Sequence, residues 1–100
     1  MTLPDPAAPD PTSPDPALEA AFLQAERNVH ALPKRPETGT QLKLYGLYKQ
    51  GSEGDVPGKR PGGFDLVGAA KYDAWAQHRG RPRPEAKRAY VDLVRSITGG

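Results

Sequence analysis

The sequence predicts an all-α fold, a four-helix bundle, and three observations predict it. Apolar residues recur at helical spacing in four separate stretches, and prolines, glycines and capping residues punctuate the gaps between them. No stretch alternates apolar with polar residues over a useful length, as a half-buried strand would.

The first helix opens at Asp15-Pro16, where a carboxylate can cap and a proline suits the first turn. Leu18, Phe22, Ala25, Val29 and Leu32 then repeat at helical intervals. The run "LPKRPETGT" breaks the pattern with two prolines. Thr38 or Thr40 is placed to cap a second helix reaching about Ser52, with apolar residues on more than one side (Leu42, Leu44, Tyr45, Leu47, Tyr48). Gly39 and Gly46 weaken it. "GSEGDVPGKRPGG" reads as a loop. Asp65 caps a third helix, "LVGAAKYDAWAQHR", which Gly80 ends. After "RPRP", Pro84-Glu85 opens a fourth helix with an apolar stripe of Ala86, Ala89, Tyr90, Leu93, Val94 and Ile97.

Six of the twelve prolines fall within Met1 to Pro16, among aspartates and few large apolar residues. Such a segment buries too little to offset its ordering entropy, so residues 1–15 are expected to be an extended, disordered Pro/Asp-rich tail and residues 16–98 the folded domain. At 100 residues the domain buries a modest core, which favours binding over a multi-part catalytic site.

Charge and composition narrow the function classes. The chain carries +2 overall, but its first 20 residues hold four acids and no base, leaving 14 bases against 8 acids, or +6, on the remainder. That excess suits an anionic ligand. With no cysteine, neither a disulfide framework nor a thiolate zinc site is available, and nothing points to an oxidising compartment. The start has no basic leader and no long apolar run, so a cytoplasmic location without stable membrane insertion is expected.

Motifs for chemistry are weak. Gly54 and Gly58-Lys59 are too close for a phosphate-binding loop, and Arg60 stands where its hydroxyl residue should be. His30 and His78 have no carboxylate cluster at ligand spacing, which argues against a metal centre, and no serine sits in a nucleophile elbow. Catalysis is not expected. What remains is Tyr45, Tyr48 and Lys49, at i, i+3 and i+4, with Lys71 across the loop. One helix face thus presents two aromatic rings beside an ammonium group, able to stack a base and neutralise a phosphate. The other reading is a core pair of tyrosines with a solvated lysine.

The stretch "YGLYKQGSEGDVPGKRPGGFDLVGAAKYDAW" resembles the signature of the acyl-CoA-binding protein family, Tyr-x-x-Tyr-Lys-Gln-(Ala/Gly)-x-x-Gly-Asp, then Arg-Pro-Gly, then Gly-x-Ala-Lys-(Trp/Tyr)-Asp-Ala-Trp. The positions that fit run from Tyr45, Tyr48, Lys49, Gln50, Gly54 and Asp55 through Arg60-Pro61-Gly62 and Asp65 to Gly68, Ala70, Lys71 and Asp73-Ala74-Trp75. The likeness extends from about Leu18 to Ile97. It implies an up-down-down-up four-helix bundle that binds medium- to long-chain fatty acyl-CoA without transforming it, as a monomer with no cofactor.

The resemblance also implies that Tyr45, Lys49 and Lys71 surround the adenosine 3′-phosphate, that Tyr48 and Tyr45 pack near the adenine and acyl chain, and that Tyr90 reaches the ligand from the fourth helix. Ala25, His30, Arg35 and Leu42 join them as ligand-binding positions. This sequence departs from the pattern at Gln41, where an apolar groove residue is usual, at His30, often lysine, and at Tyr72, more commonly tryptophan. Arg83 replaces an expected Ser or Thr cap, a loss of about 1 kcal/mol. Trp75, Phe22, Val29 and Leu93 are expected in the core, Asp55 and Asp65 as caps, and Lys59 and Arg60 in solvent. Two rival functions stay open: a helical protein-interaction module that keeps the bundle without the ligand, and nonspecific nucleic-acid binding by the cationic domain, against which the dispersal of the charges argues.

Overall fold

The structure, a computed structural model, describes residues 15–99. Among them it has four helices and no strand: α1 (Pro16–His30), α2 (Thr38–Glu53), α3 (Leu66–Ala76) and α4 (Arg83–Thr98). The tail expected over residues 1–15 lies, but for Asp15, outside the described residues.

Local chemistry explains where each helix begins and ends. Asp15 caps α1, its carboxylate accepting from the Ala17 amide at 3.0 Å ahead of Pro16. The helix stops at His30, two residues short of the Leu32 that continues its periodicity. Pro33 is the reason, because a residue before proline is pushed out of the α region. Neither threonine caps α2; Glu37 is its N-cap residue and supplies no side-chain bond. Gln41 instead ties the helix start to the preceding turn through its amide, 2.5 Å from the Pro36 carbonyl. Asp65 caps α3, accepting from the Gly68 amide at 2.8 Å. That helix ends at Ala76, and residues 77–80 form turns rather than a last helical turn.

α4 begins at Arg83 with Pro82 as N-cap and no side-chain cap. The missing Ser or Thr is put to another use. The Arg83 guanidinium donates to the carbonyls of Gly51 at 3.2 Å and Ser52 at 2.9 Å, two acceptors that the end of α2 would otherwise leave without partners. An arginine in place of a cap thus locks two helices together.

α4 packs against both α1 and α2, and α2 also packs against α3. Phe22, Ala25, Leu44, Leu47, Tyr90, Val91 and Val94 form the buried core, edged by Val29, Tyr48, Leu93 and Ile97. Burying an apolar side chain of this size contributes about 1.5–3 kcal/mol, so this cluster dominates the stability. Lys87 lies buried at its margin, ion-paired with Glu19 of α1 and 5.6 Å from the Phe22 ring centre. The α2–α3 seam has a different basis. A Cβ on Gly46 would stand 2.2 Å from the Ala74 carbonyl oxygen, so glycine here permits the two helices to touch, which outweighs the propensity it costs α2.

A polar brace closes the far end of α2. Gln50 is buried, and its amide donates to Asp55 and to the Arg81 carbonyl, each at 2.9 Å. Asp55 also accepts from the Gly80 amide at 2.8 Å, and the Trp75 indole donates to the Gly54 carbonyl at 2.7 Å. Asp55 is therefore a staple between the α2–α3 loop and the α3–α4 turn, not the helix cap expected of it. Arg60 is exposed, as expected, and makes a two-pronged surface pair with Asp73, both bonds 2.9 Å.

Candidate functional site

The cavity beside the core has a volume of about 490 Å³ and is lined by three helices and the α1–α2 turn. Glu26, Val29 and His30 come from α1, Leu32, Arg35 and Pro36 from the turn, Gln41, Leu44, Tyr45 and Tyr48 from α2, and Tyr90 from α4. Each helix contributes through its own spacing: Glu26 and His30 are one turn apart, as are Gln41 and Tyr45, so each pair shares a face. The early stop of α1 places Leu32 and Arg35 at the rim.

Aromatic packing builds the floor. Tyr48 stacks on Phe22 with ring centres 5.3 Å apart, Tyr90 meets Phe22 edge-on at 5.1 Å, and Tyr48 and Tyr90 lie 5.7 Å apart. Their hydroxyls stay protonated. Burial, then a hydrogen bond to the Glu26 carboxylate, raises Tyr48 above the ordinary phenol range. Burial, followed by the negative charge of Glu26, pushes Tyr90 up to about 12. The cavity is thus lined by three tyrosines, the neutral Tyr48 and Tyr90 and also Tyr45, with Glu26 and Gln41 among apolar walls and His30 and Arg35 exposed at its edge.

Tyr45 links the cavity to the second cationic element. The Lys71 ammonium on α3 lies 5.5 Å from its ring centre and that of Lys49 on α2 lies 6.0 Å away. Lys49 is also 5.6 Å from the Trp75 ring and pairs with Glu53 at 2.7 Å, and that hydrogen bond raises its pKa and keeps it charged. Two ammonium groups from two helices therefore converge on one tyrosine. Such a pair can hold a phosphate while the ring faces an aromatic base.

The structure brings Tyr45, Tyr48, Tyr90, His30 and Arg35 to the cavity and Lys49 and Lys71 to its Tyr45 side. Ala25 and Leu42 are not among the lining residues: Ala25 is buried in the core and Leu42 is half-buried on α2. Tyr48 packs against the core on one side and walls the cavity on the other, whereas Tyr45 lines the cavity and lies outside the core cluster. Glu26 was not singled out from the sequence, where a lone acid on a charged helix face carries no signal; Tyr48 and Tyr90 beside it in the cavity lining give it a role. Among the described residues no cluster of metal-ligating side chains occurs.

A four-helix bundle with an aromatic-floored cavity, lined from three of its helices and flanked by cations, has the form of a small helical ligand-binding protein. Comparisons with known proteins give the family. The family model described as acyl CoA binding protein matches residues 19–94. An acyl-CoA-binding protein homolog of Manduca sexta is 43% identical over 82 residues, 81% of this chain and 91% of that protein. Enoyl-CoA delta isomerase 2 of Homo sapiens is 42% identical over 82 residues, 82% of this chain but 21% of that protein. Among solved structures, acyl-CoA-binding protein 2 of Oryza sativa is similar with a TM-score of 0.78 at 34% identity, covering 82% of this chain and 91% of that one. The chain belongs to the acyl-CoA-binding protein family.

Proposed function

We propose that this protein binds fatty acyl-CoA thioesters of medium to long chain and holds them without chemistry, buffering and carrying them as a cytoplasmic monomer formed by residues 16–98. The observation that carries this reading is the junction at Tyr45, where a cavity with apolar and aromatic walls adjoins two lysine ammonium groups. A coenzyme A thioester has the matching order of parts: an aromatic base and phosphates at one end, an acyl chain at the other.

The roles follow from the chemistry. Lys49 and Lys71 hold the 3′-phosphate with the Tyr45 hydroxyl, Tyr48 and Tyr90 wall the base and acyl chain, and Arg35 and His30 offer positive charge at the rim. No metal or cofactor enters. Glu26 is the exception in a site for an anion: its carboxylate accepts from the Tyr48 hydroxyl and is placed to accept from a ligand N–H as well.

Calorimetric titration with palmitoyl-CoA, octanoyl-CoA and free coenzyme A tests the proposal. One-to-one binding that tightens with chain length is expected, because each buried methylene contributes about 0.8 kcal/mol. Absence of heat with all three ligands would overturn it and leave the protein-interaction module as the reading to pursue.

A further inference from the structure

Among the residues lining the cavity there is one acid, and an anionic ligand does not by itself account for it. Glu26 is half-buried on α1, while His30 and Arg35 stand exposed at the rim. Among the described residues Glu26 is in no ion pair. A carboxylate in a site for a phosphate-bearing ligand weakens binding unless it makes a bond in return.

Its surroundings narrow what that bond is made to. The Tyr48 hydroxyl is hydrogen-bonded to Glu26, Tyr90 feels the same negative charge, and the two rings stand 5.7 Å apart. Tyr45, one turn before Tyr48 on α2, lines the same cavity, with the Lys71 and Lys49 ammonium groups 5.5 and 6.0 Å from its ring centre. Residues three apart on a helix are neighbours, so the cationic side at Tyr45 and the acidic side at Glu26 are separated by about one helical turn.

Only a donor can use the free capacity of Glu26. An ionised carboxylate has about four lone-pair sites, of which the Tyr48 hydroxyl takes one. Gln41 is less free, its amide being bound to the Pro36 carbonyl at 2.5 Å. In a nucleotide held by its 3′-phosphate at Lys49 and Lys71, the base lies one sugar away and is tied rigidly to that phosphate. The amide groups of the pantetheine arm lie beyond the pyrophosphate on a flexible chain. Tyrosine rings then wall the faces of the base, and the carboxylate meets its edge.

We infer that Glu26 determines specificity for the base of the ligand: its carboxylate accepts from the exocyclic amino group of adenine, so the site selects a 6-aminopurine over a base lacking that donor. The inference rests on the acyl-CoA reading and names the ligand group that Glu26 takes. With the amine present the hydrogen bond offsets the repulsion between the carboxylate and the phosphates; without it, the repulsion alone remains.

Calorimetric titration with palmitoyl-CoA, and with its analogue carrying unsubstituted purine in place of adenine, tests this on the wild type, Glu26→Ala and Glu26→Gln. The wild type is expected to bind the analogue about tenfold more weakly, the effect of losing one hydrogen bond to a charged group. Glu26→Ala should bind the two ligands within about twofold of each other, and the analogue no more weakly than the wild type does. Glu26→Gln keeps a carbonyl acceptor and should show a preference between those two. Each ratio is internal to one protein, so a change in stability does not produce it. Equal affinity of the wild type for both ligands, or undiminished discrimination by Glu26→Ala, would overturn the inference and leave the carrier reading intact. No binding of palmitoyl-CoA by the wild type would overturn both.

Discussion

The two ends of α2 use neighbouring residues of one motif for opposite purposes. From Gln41 to Tyr48 the helix faces the cavity, its tyrosines walling space that no side chain fills. From Gln50 to Ser52 the same helix is closed off: Gln50 is bound to Asp55 and Arg81, and the carbonyls of Gly51 and Ser52 to Arg83. Lys49 marks the change, pointing its ammonium toward Tyr45 while Gln50, one residue on, is buried. The difference teaches that the density of unusual residues in this motif does not equal density of ligand contacts. Half of it keeps the other half in position, because an open cavity loses packing and the surrounding helices must be fixed by bonds made elsewhere.

That division is broken most severely at the seam. Gly46→Val should destabilise the protein by about 3 kcal/mol or more, since its side chain meets the Ala74 carbonyl and α3 must move away. Denaturant unfolding measures it, and affinity should fall too because Lys71 moves with α3. Gln50→Ala separates stability from binding. It removes two hydrogen bonds from a buried position and should cost about 2 kcal/mol, with palmitoyl-CoA affinity changed by no more than about twofold. Lys71→Ala and Tyr45→Phe are the converse, each weakening binding about tenfold with an unchanged unfolding midpoint.

The smallest expected effect is a pH dependence at the braced end. The Gly80 amide bond, followed by that from Gln50, holds Asp55 below the usual carboxylate range. A depressed folded-state pKa means that its contribution is complete above the ordinary value near 3.8 and is lost as pH falls through the lower folded value. The stability gap between wild type and Asp55→Asn should therefore be constant near neutrality and narrow below about pH 4. A gap that stayed constant to lower pH would place the Asp55 contribution outside its charge.

Much of the fold was legible because helical periodicity and capping act locally. Asp15 and Asp65 were read as caps and are caps. What could not be read depends on residues far apart in the chain. Gly46 looks like a helix weakener until Ala74 is seen against it, and Arg83 looks like a lost cap until the end of α2 lies beside it. Asp55 and Arg60 look like loop polars until Gly80 and Asp73 are brought to them. At the site, Tyr45, Tyr48 and Lys49 declare themselves by spacing on one helix. Glu26 was missed because a lone acid on a charged helix face has no pattern of its own, and only the tyrosines from α2 and α4 give it a role.

The most direct test is residue-resolved NMR of the labelled protein during addition of palmitoyl-CoA. The account predicts the largest shifts at Tyr45, Tyr48, Lys49, Lys71, Tyr90, His30 and Arg35, with Gln50, Asp55, Gly80 and Arg83 little changed. Shifts centred on the braced end of α2, or none at Tyr45 and Lys71, would contradict it.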